Sequence, residues 1–182
     1  MTPPTARFAF GHPAHFIALG LGTGLAPLGP GTAGSMLAFP IYMLLDRWLD
    51  PLPLFAVIAA FFAIGVWACG RTGRDLGVAD HGAMNWDEVV AMMLILLLVP
   101  NALEWWVFAF VAFRFFDVVK PPPIRHIDQT MKGGLGVMFD DIVAAFYTLI
   151  LMAIVKGRPA VRVRDAGGKV VQAPRAGFDH FA

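Results

Sequence analysis

Residues 113–141 read FRFFDVVKPPPIRHIDQTMKGGLGVMFDD. An aromatic run ends on Asp117, prolines follow at 121–123 and glycines at 133, 134 and 136, and Asp140 and Asp141 stand before a new apolar run. Proline lacks a backbone donor and clashes with the preceding turn, so the triple proline stops a helix and stiffens the turn after it. The stretch therefore predicts a helix, a rigid turn and a second helix, with carboxylates where the helices meet the turn. It also concentrates Arg114, Asp117, Lys120, Arg125, Asp128, Lys132, Asp140 and Asp141 in an otherwise apolar chain. Unpaired buried ions are costly, so such charges imply a use. Carboxylates hold hard cations such as Mg²⁺, and Arg and Lys hold phosphate. Together they point to metal-assisted phosphate chemistry.

The surrounding composition sets the class. Hydrophobic residues make up 58% of the 182-residue chain, against roughly 45–50% in soluble domains. Charged residues are 15%, against about 25%, and the mean hydropathy is +0.66. These values fit a membrane protein or a buried homo-oligomer. A formal net charge of +1 gives no basic field and no sign of nucleic-acid binding. The single cysteine, Cys69, excludes an internal disulfide and argues against a Cys-based zinc site. Residues 52–69 carry no charge and approach the roughly 20 residues that a membrane span needs. Arg71 and Arg74 follow at once, a basic flank that favours the cytoplasmic side; a buried core helix is the alternative. The expected organisation is a helical domain over residues 1–157 and a basic tail over 158–182, partly disordered and on the same side as the acidic pairs.

Two further polar stretches complete the pattern. Residues 16–36 hold six glycines and two prolines, which predicts a loop or broken helix. Within it GPGTAG, 29–34, is a weak dinucleotide fingerprint and a better bare-backbone turn, feeding a helix from near Thr32 or Ser35. Thr32 and Ser35 either cap that helix or touch phosphate. Residues 36–49 predict a short apolar helix kinked or begun at Pro40. In 70–88, Asp87 and Glu88 directly precede the apolar run 89–99. Acids there complement a helix dipole, or they belong to a metal site. Asp140 and Asp141 open the run 142–155 in the same way, and Asp117 closes a third run. Brought together, these ends form a carboxylate cluster for one or two hard cations.

Four pieces carry a family resemblance: APLGPGTAGS at 26–35, NWDE at 85–88, RFFDVVKPPPIR at 114–125 and GGLGVMFDD at 133–141. In order and spacing they resemble the phosphatidylglycerophosphatase A family. The chain departs from the family pattern at Asp80-His81, Pro121-Pro122-Pro123 and Ala145, none of which removes a carboxylate or a cation. The resemblance implies an all-α fold, Mg²⁺-dependent phosphatase activity on an anionic phospholipid, and the bacterial inner membrane.

The expected architecture is a compact membrane-associated helical bundle with broken helices and Gly/Pro-rich active-site loops. Asp87, Glu88, Asp117, Asp140 and Asp141 are expected to gather Mg²⁺. Lys120 and Arg125, with Arg114, Thr32 and Ser35, are expected to bind the substrate phosphate. Whether metal-bound water or a carboxylate attacks stays open. A CDP-alcohol phosphotransferase is disfavoured because no DG-xx-AR run occurs. The remaining alternative is a small transporter or ion-binding protein with acids in broken helices.

Overall fold

The computed structural model describes residues 4–122, 124, 126 and 130–156, and the short segments 162–164 and 170–172. The body is helical. Two short helices, α1 (Ala6–Ala9) and α2 (Pro13–Ala18), lead through a 3₁₀ segment (Gly20–Leu25) into α3 (Pro30–Asp46). The long elements then follow: α4 (Pro51–Leu76), α5 (Trp86–Leu98), α6 (Leu103–Val119) and α7 (Gly134–Lys156). Past the helical body, a three-residue strand, β1 (Arg162–Arg164), pairs antiparallel with β2 (Val170–Gln172). Both strands fall within the basic tail expected over 158–182, and each carries the β-branched valine that favours extended structure.

Helix α5 is the centre. Val89 to Met93, Ile95 and Leu96 are all buried, and a helix apolar on every side finds its place inside a bundle. Helices α3, α4 and α7 pack around it, and α7 also packs against α6. Trp86, at the start of α5, donates its indole N–H to the Phe61 carbonyl of α4 at 3.1 Å. Phe39 of α3 lies 5.9 Å from Trp106 and 6.0 Å from Phe110 of α6. The start of α3 meets the end of α6 at Arg114, so these two helices run antiparallel. Likewise Gly134 of α7 lies against Gly70 of α4, and Met138 against Gly65. The long helices therefore alternate in direction. One end of the bundle holds the starts of α3, α5 and α7 and the ends of α4 and α6.

Two helix starts differ from expectation. Helix α3 begins at Pro30 and runs through Pro40 to Asp46 without a break. Proline is at home at the first helical position, where its missing N–H has no helical partner. Helix α7 begins at Gly134, eight residues before the expected apolar run. A side chain at Gly134 would overlap the Val66 carbonyl and Gly70 of α4. Gly134 thus permits close helix packing, while Gly133, at φ 82°, makes the turn before the helix. Asp140 and Asp141 consequently sit nearly two turns inside α7 and are buried.

Helices α4 and α7 are long and apolar enough to cross a membrane. Large apolar side chains also lie exposed along outer faces, among them Met43, Phe55, Val111 and Ile150.

Candidate active site

Each carboxylate reaches the site by its place on a helix. Asp87 and Glu88 occupy the first turn of α5, where acids complement the positive end of the helix dipole. Asp141 approaches from α7. One oxygen from each of Asp87, Glu88 and Asp141 lies within 4.8 Å of the others. Asp87 and Asp141 are buried and Glu88 is nearly so. Asp87 Oδ1, Glu88 Oε2 and Asp141 Oδ2 have no hydrogen-bond partner. Orphaned buried acceptors are rare in native structures because desolvation is left uncompensated.

The electrostatics point the same way. Burial, followed by the charge of Glu88, raises the Asp87 carboxyl well above the usual carboxylate range. Burial, followed by the charge of Asp141, pushes Glu88 up to about 8. The site resists holding all its negative charge alone. Three oxygen donors without a sulfur or imidazole ligand suit a hard divalent cation, which would supply the missing partner.

Cations and backbone donors border this cluster. Arg114 Nη1 lies 3.5 Å from Glu88 and donates to Asp117 one turn along α6. Asp117 is close enough for its charge to act on Glu88. Lys120 donates to Asp140 at 2.6 Å. Lys120 also ends α6 in the left-handed region, at φ 44°, a conformation that costs a non-glycine residue about 1–3 kcal/mol. The first turn of α3 closes the site. A side chain at Gly31 would collide with Glu88 Oε1 and crowd the Arg114 guanidinium. Glycine there lets the start of a 17-residue helix, with its unpaired N–H groups, come up against Arg114.

The expected residues thus divide. Asp87, Glu88 and Asp141 form the tight triad. Asp117 and Asp140 stand beside it, each paired with a cation. Thr32 lies part-buried in the first turn of α3. Ser35 is fully buried and donates to the Gly31 carbonyl at 3.0 Å, a helix back-bond rather than an outward-facing donor. Arg125 lies outside the described residues.

Two contributors were missing from the sequence reading. The charge of Asp80 acts on Asp87, and Asp80 lines a cavity of about 100 Å³ with Lys132 and Gly133. Asn85 is fully buried at the N-cap of α5. Its amide donates to Thr23 Oγ1 at 3.0 Å and to the Pro30 carbonyl at 2.5 Å, and its backbone N–H to Ala18 at 2.9 Å. It ties the 3₁₀ segment and the start of α3 to the turn carrying Asp87 and Glu88. Its only sequence signal was its place in NWDE, next to the acids.

The chain is similar to known proteins. The family model for Phosphatidylglycerophosphatase A matches residues 16–156, which include every carboxylate above and stop where α7 stops. Phosphatidylglycerophosphatase A of Escherichia coli (strain K12) is 41% identical over 141 residues, covering 76% of this chain and 81% of that protein. The Haemophilus influenzae protein of the same name is 37% identical over 150 residues, covering 82% and 92%. A Bacteroides thetaiotaomicron relative with a provisional phosphatidylinositol-3-phosphatase name is 37% identical over 147 residues, covering 77% and 91%. No solved structure matches the chain significantly. On the extent of these matches, the chain belongs to the Phosphatidylglycerophosphatase A family.

Proposed function

We propose that the chain is a Mg²⁺-dependent lipid phosphatase that hydrolyses phosphatidylglycerophosphate to phosphatidylglycerol and phosphate. The observation that carries this reading is the buried triad of Asp87, Glu88 and Asp141, with three partnerless oxygens, beside Arg114 and the start of α3. The names of the relatives supply the substrate class. The runs of α4 and α7 support a bacterial inner-membrane setting, and Arg71 and Arg74 support a site facing the cytoplasm.

Asp87, Glu88 and Asp141 would hold the metal, with Asp117 and Asp140 at its edge. A divalent cation held there would supply Lewis-acid polarisation of the phosphate oxygens and activation of water. Arg114 and the free N–H groups of α3 bind the phosphate and stabilise the charge that grows on it. Asp117 holds the Arg114 guanidinium in place, and Asp140 does the same for the Lys120 ammonium. Arg125 is a further proposed phosphate ligand. The packed bundle keeps bulk water from the triad, which strengthens each of these interactions.

The test is phosphate release by detergent-solubilised protein from phosphatidylglycerophosphate and, separately, from phosphatidylinositol 3-phosphate. The expected result is turnover of the first substrate, loss of turnover in EDTA and recovery with added Mg²⁺. Preference for the second substrate, or full activity in chelator, contradicts the reading.

A further inference from the structure

Along the outer face of α6, Leu103, Val107, Val111, Phe115 and Val118 are each more than half exposed. Their spacing of three and four places them on one helical stripe. The first part of the stripe opens into a groove of about 820 Å³, lined by Leu103, Val107, Phe108 and Val111, with Asn101 and Glu104 at its far end. The last part reaches the level of Arg114 and Asp117, which face the candidate site from the same helix. The exposed apolar side chains thus lead, as a track along one helix, from the groove toward the level of the site.

We propose that this track holds one acyl chain of the lipid substrate, with the chain end seated in the groove. The proposal rests on the lipid-phosphatase reading above and adds the place where the apolar part of the substrate lies. Its dimensions agree. One leaflet is about half of a hydrocarbon core of roughly 30 Å, a depth of about ten helical residues at 1.5 Å each. Ten residues from Val118 lead to Phe108, inside the groove. A phosphate held by Arg114 and the start of α3 leaves the acyl chains nothing polar to cross on the way. Glu104, deeper still, lies past the end of a chain confined to one leaflet. In lipid, such a seat gives packing and alignment rather than hydrophobic gain, because bulk lipid is equally apolar. Its effect should therefore appear in turnover and chain-length preference.

The experiment uses the full chain in vesicles, with EDTA present to hold turnover. One sample contains phosphatidylglycerophosphate with a photoactivatable diazirine near the end of one acyl chain. The other contains phosphatidylcholine carrying the same label. Substrate label is expected to concentrate on the α6 peptide and to be displaced by unlabelled substrate. Phosphatidylcholine label is expected to spread over the outer faces of α3, α4, α6 and α7. In parallel, Val107→Trp and Val111→Trp are compared with Ile150→Trp, on the outer face of α7. Misplacing a reacting group by about 1 Å can cost on the order of 10²-fold. Filling the groove should therefore lower kcat/KM on dipalmitoyl substrate about tenfold more than on dioctanoyl substrate, with Ile150→Trp unaffected. Equal labelling of all outer faces by both lipids overturns the proposal, as does a loss independent of chain length. Cross-linked dimers through α6 with no lipid label there would assign the face to a second copy and also overturn it. If the parent protein hydrolyses no phosphatidylglycerophosphate, the lipid-phosphatase reading itself fails, a separate outcome.

Discussion

Glu88 is withdrawn from water among negative neighbours, with the guanidinium of Arg114 3.5 Å away. Its carboxyl rises from an ordinary value of 4.5 to about 8, and Asp87 is raised as well. Over that window the folded metal-free protein holds more protons than the unfolded chain, so stability falls as pH rises. The contribution is fully present below the ordinary carboxyl value and is lost toward the raised one. A cation held by the triad would take the place of those protons. Mg²⁺ should therefore raise Tm more near the upper end of the window than near the lower end, as read by thermal melting in detergent with and without chelator. A pH-independent rise would contradict the proton–metal exchange. The acids were legible in the sequence because charge in an apolar chain is conspicuous. Asn85 was not, because an amide beside two carboxylates signals nothing until its burial and its two acceptors are known.

At the scale of elements, the sequence reading placed Asp87 and Glu88 correctly at the start of α5 and Asp117 near the end of α6. It placed the start of α7 too late. Gly134 and Gly136 are turn residues by propensity; the close approach of α4 makes Gly134 a helical packing residue, and the Met131 carbonyl does the same for Gly136. The same limit applies to Pro40, which local rules treat as a break and which α3 contains without one. What joins the elements into a site is the Asn85 latch. Asn85→Ala leaves Thr23 Oγ1 and the Pro30 carbonyl without this donor, a loss of about 1–3 kcal/mol in stability. Tyr42→Phe removes one comparable hydrogen bond, to Asp46, at the other end of the bundle. Asn85→Ala should lower kcat/KM well beyond Tyr42→Phe, even at temperatures where both variants are fully folded. Equal activity of the two variants would reduce Asn85 to a stabilising contact.

For the whole molecule, the helical class, the apolar outer faces and the family were legible, because composition and four spaced motifs carry them. The acidic pairs and the basic tail are expected on one side of the membrane, and α7 runs from Asp141 to Lys156 at the other end of the bundle. At 1.5 Å per residue, that interval is about 22 Å, so a crossing by α7 separates carboxylates and tail. Cysteines introduced at Arg71 and at Lys156 should be labelled from opposite faces of sealed vesicles, with buried Cys69 as a silent background. Labelling of both from the same face would mean that α7 does not cross.

The central claim is that the Asp87–Glu88–Asp141 triad is the catalytic metal centre. The most direct measurement is phosphate release from phosphatidylglycerophosphate by Asp141→Asn across a Mg²⁺ titration, with Tm followed in the same samples. A neutral amide is a poor ligand for a hard cation, yet it relieves the crowding of buried charge. The account predicts a variant that melts at or above the parent in chelator, gains little Tm from Mg²⁺ and shows no turnover at any Mg²⁺ concentration. A variant that turns over like the parent, with the same Mg²⁺ dependence, would contradict it.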